Sequence, residues 1–199
     1  AVPVAPAEAE TGGPLWNLGL RWYAPLADGR IIAVRTHGDD ELVILDPAGG
    51  SAPISGGPTS RVLIQDVQGA RVLVTGGSPR VPGGLWLIDL DDPAPVLIRS
   101  SVDEDPDPRW LPTPRAVTVD GPHGPVHAVV YPPANPDAAG PDSEAPPYLV
   151  LAHGGPTTHV AGEASPAIAY FTSRGIGVLE VNYGGSTGYG RAYRERLRG

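Results

Sequence analysis

The chain has 199 residues, 41% of them hydrophobic, which is enough to bury a core in one large domain or two smaller pieces. A formal net charge of −8, with no basic cluster beyond residues 191–198, argues against nucleic acid as a partner, and the lack of cysteine excludes disulfides, thiol catalysis and cysteine metal sites. No apolar run is long enough to span a bilayer and no charged-then-apolar leader is visible, so no membrane partner is expected and the expected location is cytoplasmic.

Residues 1–13 are rich in Ala, Pro and Glu and read as a poorly ordered lead-in. Methionine is absent, so Ala1 is not an initiator start and the natural chain is expected to begin upstream. The 27 glycines and 25 prolines punctuate short apolar runs and therefore read as turns between strands. Asp28-Gly29 feeds a strand over 30–34, and a second strand over 41–45 ends in Asp46-Pro47. The same pair returns over 68–74 and 84–90. Equivalent positions lie about 41 to 43 residues apart, within the period of four-stranded propeller blades. Two partial blades of a β-propeller are the reading, with an ordinary β-sandwich as the alternative. A blade buries its faces only against neighbours, so this segment is not expected to be stable alone.

Residues 101–114 interleave Asp103, Glu104, Asp105 and Asp107 with prolines and read as an extended interdomain linker, not a cation site. A hairpin around Asp120-Gly121 follows. His123 and His127, on loop and strand, lack the helical spacing of a zinc pair and read as solvated. Tyr148-Leu149-Val150-Leu151-Ala152 is a continuous apolar run, as expected of a strand buried on both faces. Ser165 is a good N-cap, Pro166 suits the first helical position, and Gly175 stops the helix. A strand over 177–182 and a helix over 189–197 complete a strand–helix–strand–helix order, the α/β signature. Arg191, Arg194 and Arg198 share a face with Glu195 and read as a solvated helix surface.

The glycine-rich segments do not fit a phosphate loop, because Gly190 is followed by Arg191 and Ala192, and no G-x-G-x-x-G occurs here for a dinucleotide. His153-Gly154-Gly155 directly after a buried-type strand fits instead a turn whose bare N–H groups hold an oxyanion. Such fixed donors are worth about 3 to 4 kcal/mol each in a dry site.

His153-Gly154-Gly155-Pro156, Tyr170-Phe171-Thr172-Ser173-Arg174-Gly175 and Asn182-Tyr183-Gly184-Gly185-Ser186-Thr187-Gly188-Tyr189-Gly190, in that order, resemble the start of the catalytic domain of the prolyl oligopeptidase family of serine peptidases, in its dipeptidyl aminopeptidase/acylaminoacyl-peptidase branch. Gly12-Gly13-Pro14-Leu15-Trp16, the blade-like repeats and Tyr131-Pro132-Pro133 resemble the end of that family's propeller and its junction with the hydrolase. The resemblance implies a mixed architecture: residues 1–105 as the C-terminal part of a β-propeller, and 106–199 as the N-terminal part of an α/β-hydrolase domain, ending before the nucleophile. It implies a serine peptidase acting on short peptides by acyl-enzyme chemistry, with no cofactor and no metal. No serine here satisfies the family's six-residue G-x-S-x-G-G elbow, and Ser, Asp and His of the triad are expected beyond Gly199, so the isolated chain is expected to be inactive. The positions carried over are the oxyanion-hole N–H of Gly155 with Gly154, His153 and Pro156 ordering the loop, and Asn182 and Tyr183 as the site floor. The family usually has Arg where Gly184 stands here, which removes an ionic anchor and points to a divergent copy. A carboxylesterase-type hydrolase using the same loop and a non-catalytic truncated interaction module remain the alternatives.

Overall fold

The computed structural model describes residues 5, 7–13, 18–92, 94–155 and 157–198; Pro14, Leu15 and Trp16 of the first motif and Pro156 of the second lie outside them. Among the described residues β-strands dominate and helices are few and short. Short β-branched runs bounded by glycine and proline favour hairpins over long helices.

The first sheet contains β1 (Glu10–Thr11), β2 (Tyr23–Pro25), β3 (Ile31–His37), β4 (Asp39–Leu45) and β5 (Ser51–Pro53). β3, β4 and β5 pair in antiparallel order, and β1 and β2 both pair with β3. The second is an antiparallel meander of β6 (Ser60–Gln68), β7 (Arg71–Gly77), β8 (Gly84–Asp89) and β9 (Val96–Ser100). The two hairpins expected from the repeat, β3–β4 and β7–β8, hold matching places in successive sheets.

Those sheets share a core. Ile32, Val34 and Leu42 of the first meet Val62, Ile64, Val72, Val74 and Ile88 of the second, all buried. Each such side chain stabilises the folded chain by about 1.5–3 kcal/mol relative to exposure. Trp86 joins this core and satisfies its indole by donating from Nε1 to the Gly76 carbonyl at 2.9 Å.

The charged linker is held, not loose. Asp107 caps a 3-10 turn, Pro108–Trp110, accepting from the Arg109 N–H at 3.0 Å. Arg80, just beyond β7, donates to the Pro108 carbonyl at 2.9 Å and to Thr113 Oγ1 at 3.0 Å.

The third sheet runs β10-β11-β13-β12, from β10 (Arg115–Gly121), β11 (Gly124–Tyr131), β12 (Tyr148–Ala152) and β13 (Gly177–Asn182). β12 and β13 are parallel, and the other pairings are antiparallel. Between them lies α1 (Pro166–Thr172), where Ser165 Oγ accepts from the Ile168 N–H and Gly175, at φ +80°, ends the helical path. Its apolar face, Ile168 and Phe171, packs on Val129, Tyr131 and Val178.

Several local expectations change. Glu10 and Thr11, expected in a loose lead-in, form β1, and Glu10 is buried. β12 is an edge strand with Tyr148, Val150 and Leu151 exposed, because among the described residues it pairs only with β13. The last helix is shorter than expected: α2 (Arg191–Arg194) starts after Gly190, at φ +84° with no side-chain cap, and continues as a 3-10 turn, Glu195–Leu197. Arg194 is not merely solvated but pairs with buried Glu10. His127 is not solvated either: its ring stacks on Tyr189 with centroids 4.0 Å apart, and burial lowers its pKa.

Candidate functional site

Because β12 and β13 are parallel, with Ala152 opposite Val181, their C-terminal ends emerge at the same edge of the sheet. The turn His153-Gly154-Gly155 therefore starts beside Asn182 and Tyr183. Gly154 and Gly155 are exposed, and Gly155 has φ +68°, a left-handed conformation that costs glycine little.

Tyr183 lies against this turn. Its hydroxyl is 3.0 Å from the His153 carbonyl and 2.8 Å from the Gly155 carbonyl, and its ring stacks on His153 with centroids 4.4 Å apart. His153 Nε2 is 2.8 Å from Ser186 Oγ, whose proton is donated to the Tyr183 carbonyl, also at 2.8 Å. A hydroxyl has one proton, so Ser186 accepts from His153, and Nε2 carries the hydrogen. Three residues thus close a ring around the turn.

That ring also decides the status of Ser186. Gly184-Gly185-Ser186-Thr187-Gly188 spells the five-residue form G-x-S-x-G, and a histidine stands within hydrogen-bond reach. Yet Ser186 is fully buried and its partner imidazole already bears the proton it would have to take. In this arrangement the pair braces the turn.

Asn182, also fully buried, clamps the segment beyond the turn. Its Oδ1 accepts from the Val160 N–H at 2.8 Å, and its Nδ2 donates to the Val160 carbonyl at 2.9 Å and to the Tyr189 hydroxyl at 3.1 Å. Its own carbonyl accepts from the Tyr193 hydroxyl at 2.5 Å. The side-chain amide acts as one more strand residue for a segment with no strand beside it.

The first sheet closes the other side. The Gly38 N–H donates to the Gly188 carbonyl at 2.8 Å, and the Gly188 N–H donates to Glu10 Oε2 at 2.7 Å, while Arg194 pairs with Glu10 Oε1. A side chain at Gly188 would press on His159 and Thr36, and its φ of +86° suits glycine. Asp40 is buried and satisfied by Thr36 Oγ1 at 2.6 Å and the Val62 N–H at 2.8 Å. His159 stands 4.0 Å from Asp40 and 3.3 Å from Thr187 Oγ1. Burial holds its imidazole below the ordinary pKa, against the pull of Asp40 and Glu10. Arg61, at a break in the β6–β7 register and with φ +53°, reaches across to Glu163 at 3.0 Å.

Between these elements lies a cavity of about 310 Å³, with Trp22, Val34 and Leu63 on the sheet side and His153, Thr158 and Val160 on the turn side. Its walls mix apolar side chains with polar and charged ones, among them Glu10, Asp40, Arg61 and His159. Among the described residues no group of three or more His, Asp or Glu could hold a metal ion, and no helix is long and apolar enough to cross a membrane.

Of the residues singled out from the sequence, His153, Gly154, Gly155, Asn182 and Tyr183 converge on one edge of the third sheet, and Pro156 lies outside the described residues. Glu10, Asp40, His159 and Arg61 were not anticipated. The one local signal was His159 itself, four residues after Gly155.

No protein-family model matches the chain. A puromycin-hydrolysing peptidase of Mycobacterium tuberculosis is 45% identical to it and superposes with a TM-score of 0.90, over 98% of this chain and 30% of that one. Two curated proteins match shorter stretches. Dipeptidyl peptidase family member 6 of Caenorhabditis elegans is 49% identical over 43 residues, which is 22% of this chain and 6% of that protein. Acylamino-acid-releasing enzyme 1 of Oryza sativa subsp. japonica is 40% identical over 58 residues, 29% of this chain and 8% of its own length. The chain thus spans less than a third of the length of each of these relatives. Its β-rich part matches the propeller portion of such peptidases, and sequence and fold together identify the chain as a member of the prolyl oligopeptidase family of peptidases.

Proposed function

We propose that these residues serve a serine peptidase that cleaves short peptides through an acyl-enzyme, in the cytoplasm and without cofactor or metal. Residues 1–105 form the last part of its propeller, and 106–199 form the first part of an α/β-hydrolase domain. The observation that carries this reading is the exposed Gly154-Gly155 turn at the end of β12, braced from below by Tyr183 and next to His153, which lines a cavity that the first sheet closes. In acyl transfer such a turn offers backbone N–H groups to the oxygen that becomes negative in the tetrahedral intermediate, with Gly155 and Gly154 as donors. His153 orders the turn, Asn182 and Tyr183 form the floor beneath it, and neither Ser186 nor His153 performs the displacement. Nucleophile, base and acid partner come from outside these 199 residues, so the isolated chain hydrolyses nothing.

The test is fluorophosphonate labelling of the natural protein with intact mass read on the same sample. Label on a species well above 20.6 kDa, with the labelled peptide in a G-x-S-x-G-G elbow, is the expected result. Label on Ser186, or none on the natural protein, would overturn the reading. Turnover of aminoacyl-arylamides compared with the matching esters separates a peptidase from a carboxylesterase.

A further inference from the structure

We propose that Tyr183 is the positioning residue of the oxyanion turn, acting through two backbone carbonyls and not on the substrate; this rests on the peptidase reading above. The phenol lies within hydrogen-bond distance of the carbonyls of both His153 and Gly155, at 3.0 and 2.8 Å. These two carbonyls flank the Gly154–Gly155 peptide, which carries the Gly155 N–H. Glycine populates both signs of φ with nearly equal ease, so two adjacent glycines alone would let that peptide plane rotate. The phenol has one proton, which the two carbonyls share as a three-centre bond, shorter to Gly155, so the plane has a held neighbour on each side. A peptide is planar and trans, so a His153 carbonyl held toward Tyr183 also directs the Gly154 N–H away from it. The donors then face outward, where the reacting carbonyl would lie, before any substrate arrives.

The rest of the ring supports Tyr183. Its aromatic face is stacked on His153, and its own carbonyl receives the Ser186 proton, so ring and backbone are both held where the hydroxyl has to act. Preorganised donors are worth more than donors that must turn into place, because no reorganisation is left for the transition state.

The experiment uses the protein at its natural length with Tyr183→Phe, which keeps the stack and removes only the hydroxyl. With an aminoacyl-arylamide substrate, kcat is expected to fall about tenfold at nearly constant KM, a fraction of the 10²–10³ seen when a donor is deleted outright. Affinity for a peptide boronic acid, which mimics the tetrahedral oxyanion, is expected to fall by the same factor, while affinity for the product peptide stays unchanged. The melting temperature should be nearly unmoved. A variant as active as the wild type, or one in which boronate and product affinities fall together, overturns the positioning role and leaves the peptidase reading intact. A wild type that neither takes fluorophosphonate nor turns over arylamide overturns both.

Discussion

Replacing Asn182 with alanine separates the end of β13 from the segment around Val160 and tests whether that amide clamp holds the wall of the cavity. Three side-chain hydrogen bonds are lost, to the Val160 N–H, the Val160 carbonyl and the Tyr189 hydroxyl. At about 1 kcal/mol net for each bond, the loss is about 3 kcal/mol; Val160 is only half-buried, so water can take up part of what its backbone loses. Each 1.4 kcal/mol is a factor of ten, so the equilibrium for opening this segment should rise about 100-fold. Native-state hydrogen exchange read at residues 157–164 measures that opening directly, without requiring a two-state global transition. Asn182→Asp is the companion variant: it can still accept from the Val160 N–H, but it sets a buried carboxylate oxygen against the Val160 carbonyl, so its loss should equal or exceed that of alanine. A Val160 amide within about threefold of wild type in the alanine variant would refute the clamp and leave Asn182 as simple filler beneath the turn.

Three further outcomes follow from the same contacts. Arg194→Met removes the cation beside buried Glu10, and should cost about 2–3 kcal/mol, below the 3–5 of a fully buried pair because Arg194 is partly exposed and the Gly188 N–H still bonds the carboxylate; adding Glu10→Gln should restore part of the melting temperature, and a double variant no better than the single would contradict the pairing. Gly185→Ala forces a side chain into φ +107° against Leu197 and should destabilise by about 1–2 kcal/mol or more, whereas Gly140→Ala, with open space around it, should be neutral or slightly stabilising by comparative denaturation. Burial lowers the folded-state pKa of His159 and His127, so below the unfolded value of about 6.5 the unfolded chain binds more protons. Their contribution is complete above that pH and is lost as pH falls toward the folded values. Glu180 and Asp39, raised by burial, act in the opposite sense. The melting temperature of wild type minus that of His159→Gln isolates the histidine; this difference should shrink between pH 7.5 and 5.5, and a difference that stays level or grows would count against it.

Much of the architecture was legible locally. The returning strand pair, the turn after β12, and α1 with Ser165 and Pro166 at one end and Gly175 at the other all depend on residues within a few positions of one another, where φ preferences and side-chain alternation act directly. The convergence of His153, Gly154, Gly155, Asn182 and Tyr183 followed once two short apolar runs were read as parallel neighbours. The exposure of β12 was not legible, because an apolar run states only what could be buried, and burial depends on which elements lie against it. Nor were the partners of Glu10, 178 residues from Gly188, or of Arg61, 102 from Glu163. Local backbone chemistry determined which segments became strands, turns and helix caps. Only tertiary packing decided the rest: the first sheet against the glycine loop set which charges are buried and where the cavity lies, and the meeting of the β12 and β13 ends set which hydroxyl holds which carbonyl, because those energies arise between groups that meet only when the chain is folded.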